Sequence, residues 1–338
     1  MLFIRTDGNS EIGTGHLMRC LSVAEAVRVL GNEVSFVVAD SQSETILSGR
    51  GFNVICFDSV WNDLDAELDA FASVIELHSV RTVLIDSYFV TQQYLQRLCE
   101  LAYIVYIDDL NAFHYPCDML INYNCYAAKF DYPSRFADTR LLLGPEFAPL
   151  RDEFQNLPRR VQKKEVSSVL ITAGGVDHFN VAVKLVKLAK RTPELESLEF
   201  HVVAGRLNQH LDDLKRLETD NSGVFIHCDV QRISQLMLDC DIAVSAGGST
   251  LYELCACGTP TVTFALADNQ IHGVEGFGNG FMLGVGDFRE DEDSCLDRII
   301  SGLLQLVNDY ELRGQLSEKG QGLVDGKGAA RIAEALLA

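Results

Sequence analysis

Short apolar runs of strand length alternate with amphipathic segments along the N-terminal part of the chain. Amphipathic segments at 17–30 and 64–77, for example, lie between such runs. Continuous hydrophobic strands separated by helices are typical of a parallel sheet that is covered on both faces. The pattern therefore predicts a Rossmann-like domain with the strands LFI at 2–4, VSFVV at 34–38, VICF at 54–57, TVLI at 82–85, YIVYI at 103–107 and MLI at 119–121.

The segment 143–166 differs from this pattern, because it combines three of the seven prolines with a basic run and weak periodicity. Such a composition marks a linker, so we expect an N-terminal domain at 1–145, a linker at 146–165 and a C-terminal domain at 166–338. The last residues, 328–338, have the pattern of a closing helix that could pack back on the first domain. After the linker, further strands are predicted as SVLIT at 168–172, LEFHVV at 198–203, VFIH at 224–227, IAVS at 242–245 and TVTF at 261–264.

Two Rossmann-like domains joined by one linker define the expected fold class as α/β. Ligands of open α/β sheets bind at the carboxyl ends of the strands. We therefore expect a site in a cleft that the two domains face, with the functional side chains in the loops that follow the strands.

The composition narrows the classes of partner. The chain has 338 residues, of which 47% are hydrophobic and 22% charged, as in a globular protein with a well-filled interior. Its 28 Lys and Arg residues against 48 Asp and Glu residues give a formal net charge of −20. Nucleic acids and anionic membrane surfaces require a basic face, so the charge argues against both as partners.

The ten cysteines form no CxxC pair, and Cys255 and Cys257 lie in a segment of small residues. Metal sites need paired ligands at characteristic spacing, so we expect no metal and no cofactor. The start MLFIRTD is typical of a strand rather than of a signal peptide, and no apolar segment reaches the roughly 20 residues of a membrane span. These features predict a cytoplasmic protein with reduced thiols, and a monomer is the default expectation.

The stretch IRTDGNSEIGTGH passes from a strand into a helix, and its residues Gly13 and Gly15 let the backbone approach a ligand closely. His16 then falls in the first helical turn, where the helix dipole favours a neutral imidazole that can act as a general base. Arg19 lies on the same helix face at i+3, and Asp7 is a hypothetical orienting group for the imidazole. An ordinary helix cap with an exposed histidine is the competing interpretation, because GxG alone is a weak signal.

In LITAGGVD, Gly174 and Gly175 end a strand and precede a helix. A glycine pair in that place offers backbone amides to phosphate or sugar oxygens, although a tight turn has the same pattern. Asp177, two residues further on, is a candidate ligand-binding residue or a helix cap.

In IAVSAGGSTLYELCACGTP, Ser249 and Thr250 stand at the start of a helix that carries Glu253, and all three are candidate substrate-binding residues. This spacing fits a capping box, yet a carboxylate one turn inside such a helix is also well placed to bind two ribose hydroxyls. Asn269 and Gln270, after the strand TVTF, could hold phosphate or sugar oxygens, or could form a polar turn.

Taken together in this order and spacing, the motifs resemble the PseG/SpsG family. Its members are UDP-sugar hydrolases of pseudaminic acid biosynthesis and their spore-coat polysaccharide relatives. The likeness runs over essentially the whole chain, and the second half is also similar to the nucleotide-binding half of the MurG glycosyltransferases. The segments that carry it are FIRTDGNSEIGTGH, LMRCLSVAEA, DDLNAFHYPCDMLINYNCYA at 108–127, ITAGGVD, SAGGSTLYELCACGTP, ADNQ and DGKGAARIAEAL.

The resemblance implies a GT-B fold and hydrolysis of UDP-2,4-diacetamido-2,4,6-trideoxy-β-L-altropyranose to the free sugar and UDP. Water would attack the anomeric carbon with inversion and without a metal. The family's catalytic histidine matches His16, and a tyrosine on its substrate side matches Tyr88. Its uridine site matches Gly174, Gly175 and Glu253.

On this hypothesis UDP lies against the second domain, and backbone amides at helix N-termini meet its pyrophosphate. Because the chain is acidic, a few arginines would compensate the phosphate charge, with Arg5 and Arg19 as candidates. A UDP-sugar-dependent glycosyltransferase is the main rival, since its nucleotide half would look the same, and a non-enzymatic sugar-nucleotide-binding module is a third reading. A nicotinamide dehydrogenase is disfavoured, because the sequence after the first strand is GTGHLM rather than GxGxxG.

Overall fold

The structure is a computed structural model that describes residues 1–9, 11–205, 208–228 and 230–338. The chain divides into two compact units, one formed by Met1–Asp152 with Lys327–Ala338 and the other by Glu153–Gly326. Each unit is built on a parallel β-sheet with helices between its strands, which confirms the predicted α/β class with two Rossmann-like domains.

The described part of the first unit contains a seven-stranded sheet in the spatial order β3-β2-β1-β4-β5-β6-β7. Chain order reverses between β1 and β4, which pair in parallel, so this is the switch point where ligands of such sheets bind. Its strands β1–β7 are Leu2–Thr6, Val34–Val38, Asn53–Cys56, Thr82–Asp86, Tyr103–Ile107, Met119–Asn122 and Arg140–Leu143. Its helices α1–α5 are Gly15–Val29, Ser41–Ser48, Leu68–Leu77, Gln92–Cys99 and Tyr132–Arg135.

The strands β1 and β2 of this unit are buried along their whole length, and β4 and β5 are buried except at their first residue, which explains their continuous hydrophobic runs. β1 also buries the polar residues Arg5 and Thr6 at its carboxyl end. A buried charge needs a partner of opposite charge or a hydrogen bond. The buried Arg5 and Thr6 therefore indicate a network of polar side chains inside this unit. The core packs around Phe3, Phe71 and Tyr94 on the side of α3 and α4.

The second unit repeats this architecture, and its described residues form a six-stranded sheet in the order β10-β9-β8-β11-β12-β13. The switch point lies between β8 and β11, which are parallel neighbours. Its strands β8–β13 are Ser168–Thr172, Glu199–Ala204, Val224–Cys228, Ile242–Ala246, Thr261–Ala265 and Leu283–Asp287. Its helices α6–α12 are Val181–Ala189, Leu211–Asp220, Ile233–Asp239, Thr250–Cys257, Asp268–Gly278, Glu292–Asn308 and Tyr310–Leu323.

Two strands that the apolar pattern does not predict are β7 and β13. Both are edge strands of their sheets, and each contains partly or fully exposed positions. β13 lacks a continuous hydrophobic run, because its sequence LGVGD contains two glycines. β7, with the sequence RLLL, does contain a short apolar run, and the prediction missed it.

The last helix, α13 at Gly328–Leu337, belongs to the first unit. It packs against α1, buries Ile332 and Leu336, and its Ala335 carbonyl accepts a hydrogen bond of 3.1 Å from the Arg140 guanidinium. The segment that composition marks as a linker is divided, since the unit boundary lies between Asp152 and Glu153.

Two buried or half-buried guanidinium groups attach the remainder of that segment to the second unit. Arg160 donates to the carbonyl oxygens of Met237 and Cys240 and to the Thr259 hydroxyl. Arg313 donates to the carbonyl oxygens of residues 163 and 164. These bonds give the segment a defined path without regular secondary structure.

None of the helices in the described part of the chain has the length and apolar character needed to span a bilayer.

Candidate active site

The loop between β1 and α1 brings His16 to the carboxyl edge of the first sheet. Gly13 adopts a left-handed backbone conformation with φ of 74°, which a glycine adopts without strain. The Asn9 side chain shapes the same loop, because its Oδ1 accepts from the N–H groups of Glu11 and Ile12 at 2.9 and 3.1 Å. Asn9 was not among the predicted site residues, and the turn-forming character of asparagine is the signal that could have found it.

His16 lies in the first turn of α1, as predicted, with 21% of its side chain exposed. Its Nδ1 is 3.4 Å from Oδ1 of Asp86, the last residue of β4. Tyr88 presents its ring edge-on to the imidazole, with ring centroids 4.5 Å apart. Burial lowers the pKa of His16, although the Asp86 carboxylate acts in the opposite direction. The imidazole is therefore neutral near neutral pH and still partly accessible.

Arg19 lies inside this site and not at its surface. Its Nε and Nη2 donate to the two carboxylate oxygens of Asp86, each at 2.6 Å, in a bidentate pair. Burial alone would raise the pKa of Asp86, but the Arg19 guanidinium and His16 hold it below its usual range. Asp86 is consequently ionised, and both its oxygens are engaged by Arg19.

Asp109, which follows β5, links Arg19 to Tyr88. Its Oδ2 accepts from Arg19 Nη1 and from the Tyr88 hydroxyl, both at 2.9 Å. Its Oδ1 accepts from Asn124 Nδ2 at 2.7 Å, and Arg19 Nη1 also donates to the Tyr123 hydroxyl at 2.8 Å. The loops after β4, β5 and β6 thus contribute to one hydrogen-bonded network around the guanidinium.

Sequence reasoning missed four members of this network. They share one signal, which is a polar side chain at the end of a buried strand in three consecutive strands of the predicted sheet. Because parallel strands have their carboxyl ends at the same edge, that signal could have grouped them. The four residues are Asp86, Asp109, Tyr123 and Asn124.

Asp7 does not orient His16 in the structure. Its Oδ1 accepts from the backbone N–H of Ala39 at 2.7 Å, and its Oδ2 accepts from Arg5 Nη1. Arg5 in turn is buried and paired with Glu67. The carboxylate that contacts the imidazole is that of Asp86. The orienting role that we predicted for Asp7 therefore fits Asp86 instead.

The arginines proposed for phosphate binding, Arg5 and Arg19, are both internal. Arg5 has no exposed side-chain surface and Arg19 only 6%. Their guanidinium groups are taken up by carboxylates of the first unit, because a buried cation needs a buried anion. Neither guanidinium group is exposed to an anionic ligand. Arg19 therefore has no accessible N–H group for the substrate-binding role that we predicted.

In the second unit, Gly174 and Gly175 follow β8, and Gly174 has φ of 81°. A Cβ atom placed on Gly205 would lie 2.4 Å from the Gly175 carbonyl oxygen, so the loops after β8 and β9 are in close backbone contact. Asp177 caps the following helix α6, because its carboxylate accepts from the N–H groups of Val181 and Ala182 at 2.8 and 3.1 Å. Of its two predicted roles, the contacts favour the cap.

The loop after β11 carries a second pair of glycines. A Cβ atom on Gly247 would lie 2.8 Å from Gln270 Cβ, so the loop packs tightly on α10. The side chain of Ser249, which is exposed, makes no capping hydrogen bond to α9 among the described residues. Thr250 opens α9 and Glu253 is half-buried in its first turn. The capping box is therefore not formed, and the predicted ligand role of Glu253 stays a prediction.

Asn269 and Gln270 lie in the first turn of α10, and not in a free loop after β12. The Gln270 side-chain oxygen accepts from the Leu266 N–H at 2.8 Å, which closes the strand-to-helix turn. Asn269 is exposed. Asp268, at the start of the helix, is paired with Arg289.

Three helices of the second unit begin at one edge of its sheet. Because β8, β11 and β12 are adjacent and parallel, the N-termini of α6, α9 and α10 lie along the same edge. Helix N-termini have N–H groups without intrahelical partners and a positive partial charge; in α6 the first of these groups donate to Asp177. The N-termini of α9 and α10 are therefore the part of this edge that is suited to an anion, and Glu253 in the first turn of α9 is a candidate to bind hydroxyl groups. Among the described residues, no three His, Cys, Asp or Glu side chains are grouped as metal ligands.

Comparison with known proteins defines the class of this fold. Acinetobacter baumannii MurG superposes with a TM-score of 0.68 at 13% identity, over 99% of each chain. The S. aureus MnaA–UDP co-structure gives a TM-score of 0.67 at 13% identity, over 98% of this chain and 94% of that one. Together with the two parallel sheets, these likenesses show that the chain has the GT-B fold.

Relatives in sequence narrow the class further. SpsG, a spore coat polysaccharide biosynthesis protein of Bacillus subtilis, is 27% identical over 199 residues, 58% of this chain and 57% of SpsG. A UDP-2,4-diacetamido-2,4,6-trideoxy-β-L-altropyranose hydrolase of Campylobacter jejuni is 23% identical, over 75% of this chain and 86% of its own. A Helicobacter pylori protein named for that hydrolase and for pseudaminic acid cytidylyltransferase is 24% identical, over 77% and 43%.

The chain is thus similar, at 23 to 27% identity, to proteins that carry the names of the PseG/SpsG family which its motifs suggested. No family model matches the chain. The matched region spans about half the length of the first curated relatives, 57% of SpsG and 43% of the Helicobacter pylori protein.

Proposed function

We propose that the protein hydrolyses UDP-2,4-diacetamido-2,4,6-trideoxy-β-L-altropyranose to the free sugar and UDP, as a step of pseudaminic acid biosynthesis. The names of the Campylobacter jejuni and Helicobacter pylori relatives support this substrate. The observation that carries the proposal is His16, a partly accessible imidazole whose Nδ1 faces the Asp86 carboxylate at 3.4 Å. This is the geometry of a general base.

The first unit supplies the base. The proposal places the proton of the neutral imidazole on Nδ1, 3.4 Å from Asp86 Oδ1, which leaves the lone pair on Nε2. His16 takes a proton from water through Nε2 while the water oxygen bonds to C1 of the sugar. The bond between C1 and the UDP oxygen breaks, and its electron pair leaves with UDP. Attack from the face opposite the leaving group inverts the configuration at C1.

The second unit would stabilise the leaving group. The N-termini of α9 and α10 lie at one sheet edge, and their backbone N–H groups suit the oxygens of a pyrophosphate, whereas the first N–H groups of α6 are taken up by Asp177. Glu253, in the first turn of α9, is placed to accept from ribose hydroxyls. Since Arg5 and Arg19 are internal, amides and helix dipoles carry the charge compensation.

The test is incubation of the purified protein with a panel of UDP-linked 2,4-diacetamido sugars. We expect UDP release from the altropyranose substrate, and NMR of the first product formed should show the inverted anomer. His16→Ala should lose turnover and retain UDP binding in calorimetry. UDP release by the His16→Ala variant at the wild-type rate would remove His16 from the reaction.

A second candidate is a UDP-sugar-dependent glycosyltransferase of polysaccharide biosynthesis. The matches to SpsG and to the solved rhamnosyltransferase SpnG, at 15% identity and a TM-score of 0.65, support it. In that case an acceptor hydroxyl replaces water as the nucleophile. Absence of hydrolysis for every UDP-sugar of the panel, with transfer to an added acceptor, would favour this candidate.

A further inference from the structure

The charged groups around His16 do not balance. Asp86 and Asp109 are two carboxylates with exposures of 1% and 7%, and they share one guanidinium, that of Arg19, which is 6% exposed. With a neutral imidazole the four side chains carry a net charge of −1. A buried group of charges is most stable when each charge has its partner, so this group is short of one positive charge.

The hydrogen bonds show where that positive charge belongs. Asp109 accepts from Arg19, Tyr88 and Asn124. Asp86 accepts from Arg19 on both oxygens and from Cys20 Sγ, and its Oδ1 also faces His16 Nδ1 at 3.4 Å. A proton taken up by His16 Nε2 would therefore give a positive ring whose nitrogen lies directly beside the Asp86 carboxylate.

We infer that Asp86 is the positioning residue of His16, and that the proton which His16 removes from water completes the charge balance of this buried group. The inference rests on the proposed function for the identity of the reaction. Arg19 holds Asp86 in place through the bidentate pair, so that the carboxylate keeps its distance and direction to the ring.

The arrangement favours the transition state over the resting state. Before reaction, burial keeps the imidazole neutral and able to accept a proton. As the proton transfers, the developing imidazolium gains the attraction of Asp86, which is already oriented and needs no rearrangement. The groups that face the ring from the surrounding elements are Asp86 from β4, Arg19 from α1, Tyr88 after β4, Asp109 after β5 and Asp7 after β1.

The alternative is that Asp86 serves only as the counter-ion of Arg19. Asp109 provides the matched control, because it is also a buried carboxylate bonded to Arg19, but Asp86 is the one whose oxygen lies 3.4 Å from the His16 ring nitrogen. Asp86→Asn and Asp109→Asn remove the same charge from the same guanidinium.

With the UDP-sugar as substrate, Asp86→Asn should lower kcat by about 100-fold or more, as loss of an imidazole-orienting carboxylate does in hydrolases. KM should stay within about twofold, because the carboxylate acts on the base and not on bound substrate. The acid limb of kcat should also move to lower pH, since the imidazolium loses its stabilising charge. Asp109→Asn should show a smaller shift of that limb. Equal effects of the two variants would reduce Asp86 to a structural counter-ion.

A second measurement needs no activity. In ¹H–¹⁵N NMR of wild-type protein, His16 should be the Nδ1–H tautomer, and Asp86→Asn should lower its titration midpoint. An Nε2–H tautomer in the wild type would overturn the inference, even if the Asn variant fails to fold. If no UDP-sugar is hydrolysed but the tautomer and the shift are as expected, the proposed function fails while the positioning of His16 by Asp86 stands.

Discussion

Arg19 and Asp86 lie 67 positions apart in the chain and are joined by two parallel hydrogen bonds of 2.6 Å each. Arg19 is therefore the internal partner of the carboxylate next to His16 and not the phosphate ligand that we expected. We predict that breaking this pair lowers the stability of the first unit strongly, because the remaining charge is then buried without a partner.

We expect Arg19→Met to destabilise the first unit by about 3 to 5 kcal/mol, the usual range for breaking a buried ion pair. Urea unfolding followed by fluorescence measures it, since the single tryptophan, Trp61, lies in that unit. The matched control is Arg97→Met, because Arg97 pairs with Glu100 at 2.7 Å on the surface. That pair should contribute less than about 1 kcal/mol, and similar losses for both variants would contradict the prediction.

The pH dependence follows from the lowered pKa of His16, which burial causes. Protonation removes the base, so kcat/KM should fall only as the pH drops through a midpoint below about 6.5, the ordinary pKa of histidine. In the interval between these two values the unfolded chain binds more protons at His16 than the folded chain does. This group's contribution to stability therefore also decreases as the pH falls below about 6.5.

The pH–rate profile of the wild type and of His78→Gln tests this expectation. His78 is exposed in the same unit, so its replacement should leave the acid limb unchanged. A wild-type midpoint at or above about 6.5 would show that the imidazole which controls the rate is not desolvated.

Gly247→Ala should disturb the edge of the second sheet. A Cβ atom there would approach Gln270 Cβ to 2.8 Å and Val274 Cγ2 to 3.2 Å, which forces α10 away from the loop after β11. We expect a loss of about 1 to 3 kcal/mol, as for other overpacked sites, and weaker UDP binding by calorimetry. Gly314→Ala is the control, because its Cβ would meet no atom within 4 Å in α12. That variant should be neutral or more stable by up to about 1 kcal/mol.

Substitutions of Asp177 can distinguish its role as the helix cap of α6 from a role in ligand binding. Asp177→Ala should destabilise the second unit by about 1 to 2 kcal/mol through loss of the cap. Asp177→Asn should retain most of the stability, because asparagine also caps helices and tolerates the φ of 48° found here. Both variants should bind UDP like the wild type. A drop in UDP affinity without a drop in stability would instead identify Asp177 as a ligand.

The last helix, α13, should stabilise the first unit, although the second unit directly precedes it in the sequence. Ile332 is fully buried, so Ile332→Ala should cost about 2 to 5 kcal/mol, and Trp61 fluorescence should report the loss. Leu337, in the same helix, is 40% exposed, and Leu337→Ala should change the stability by about 0.5 kcal/mol or less. An unchanged transition at Trp61 for Ile332→Ala would contradict the packing of α13.

The alternation of apolar runs and helical segments was sufficient to predict the fold class, because buried parallel strands are continuous hydrophobic runs. The same signal is absent at β13, whose sequence LGVGD has two glycines, whereas β7 has a short apolar run, RLLL, that the prediction missed. For α13 the pattern of Gly328–Leu337 indicates a helix with an apolar face, and the surface that covers this face, which we expected on the first domain, is given by the structure as α1. A cleft between the domains and the ligand roles of Gly15, Thr250 and Asn269 stay predictions.

At the site, the sequence by itself determined that a glycine loop delivers His16 into the first turn of α1, because local backbone preferences and periodicity are encoded in neighbouring residues. Only the tertiary structure decided which carboxylate meets the imidazole. Asp7 is near in sequence but bonded to Arg5, whereas Asp86 arrives from β4 because β4 pairs with β1 in the sheet. Strand order brings distant residues together, and a charge finds its partner in space rather than along the chain.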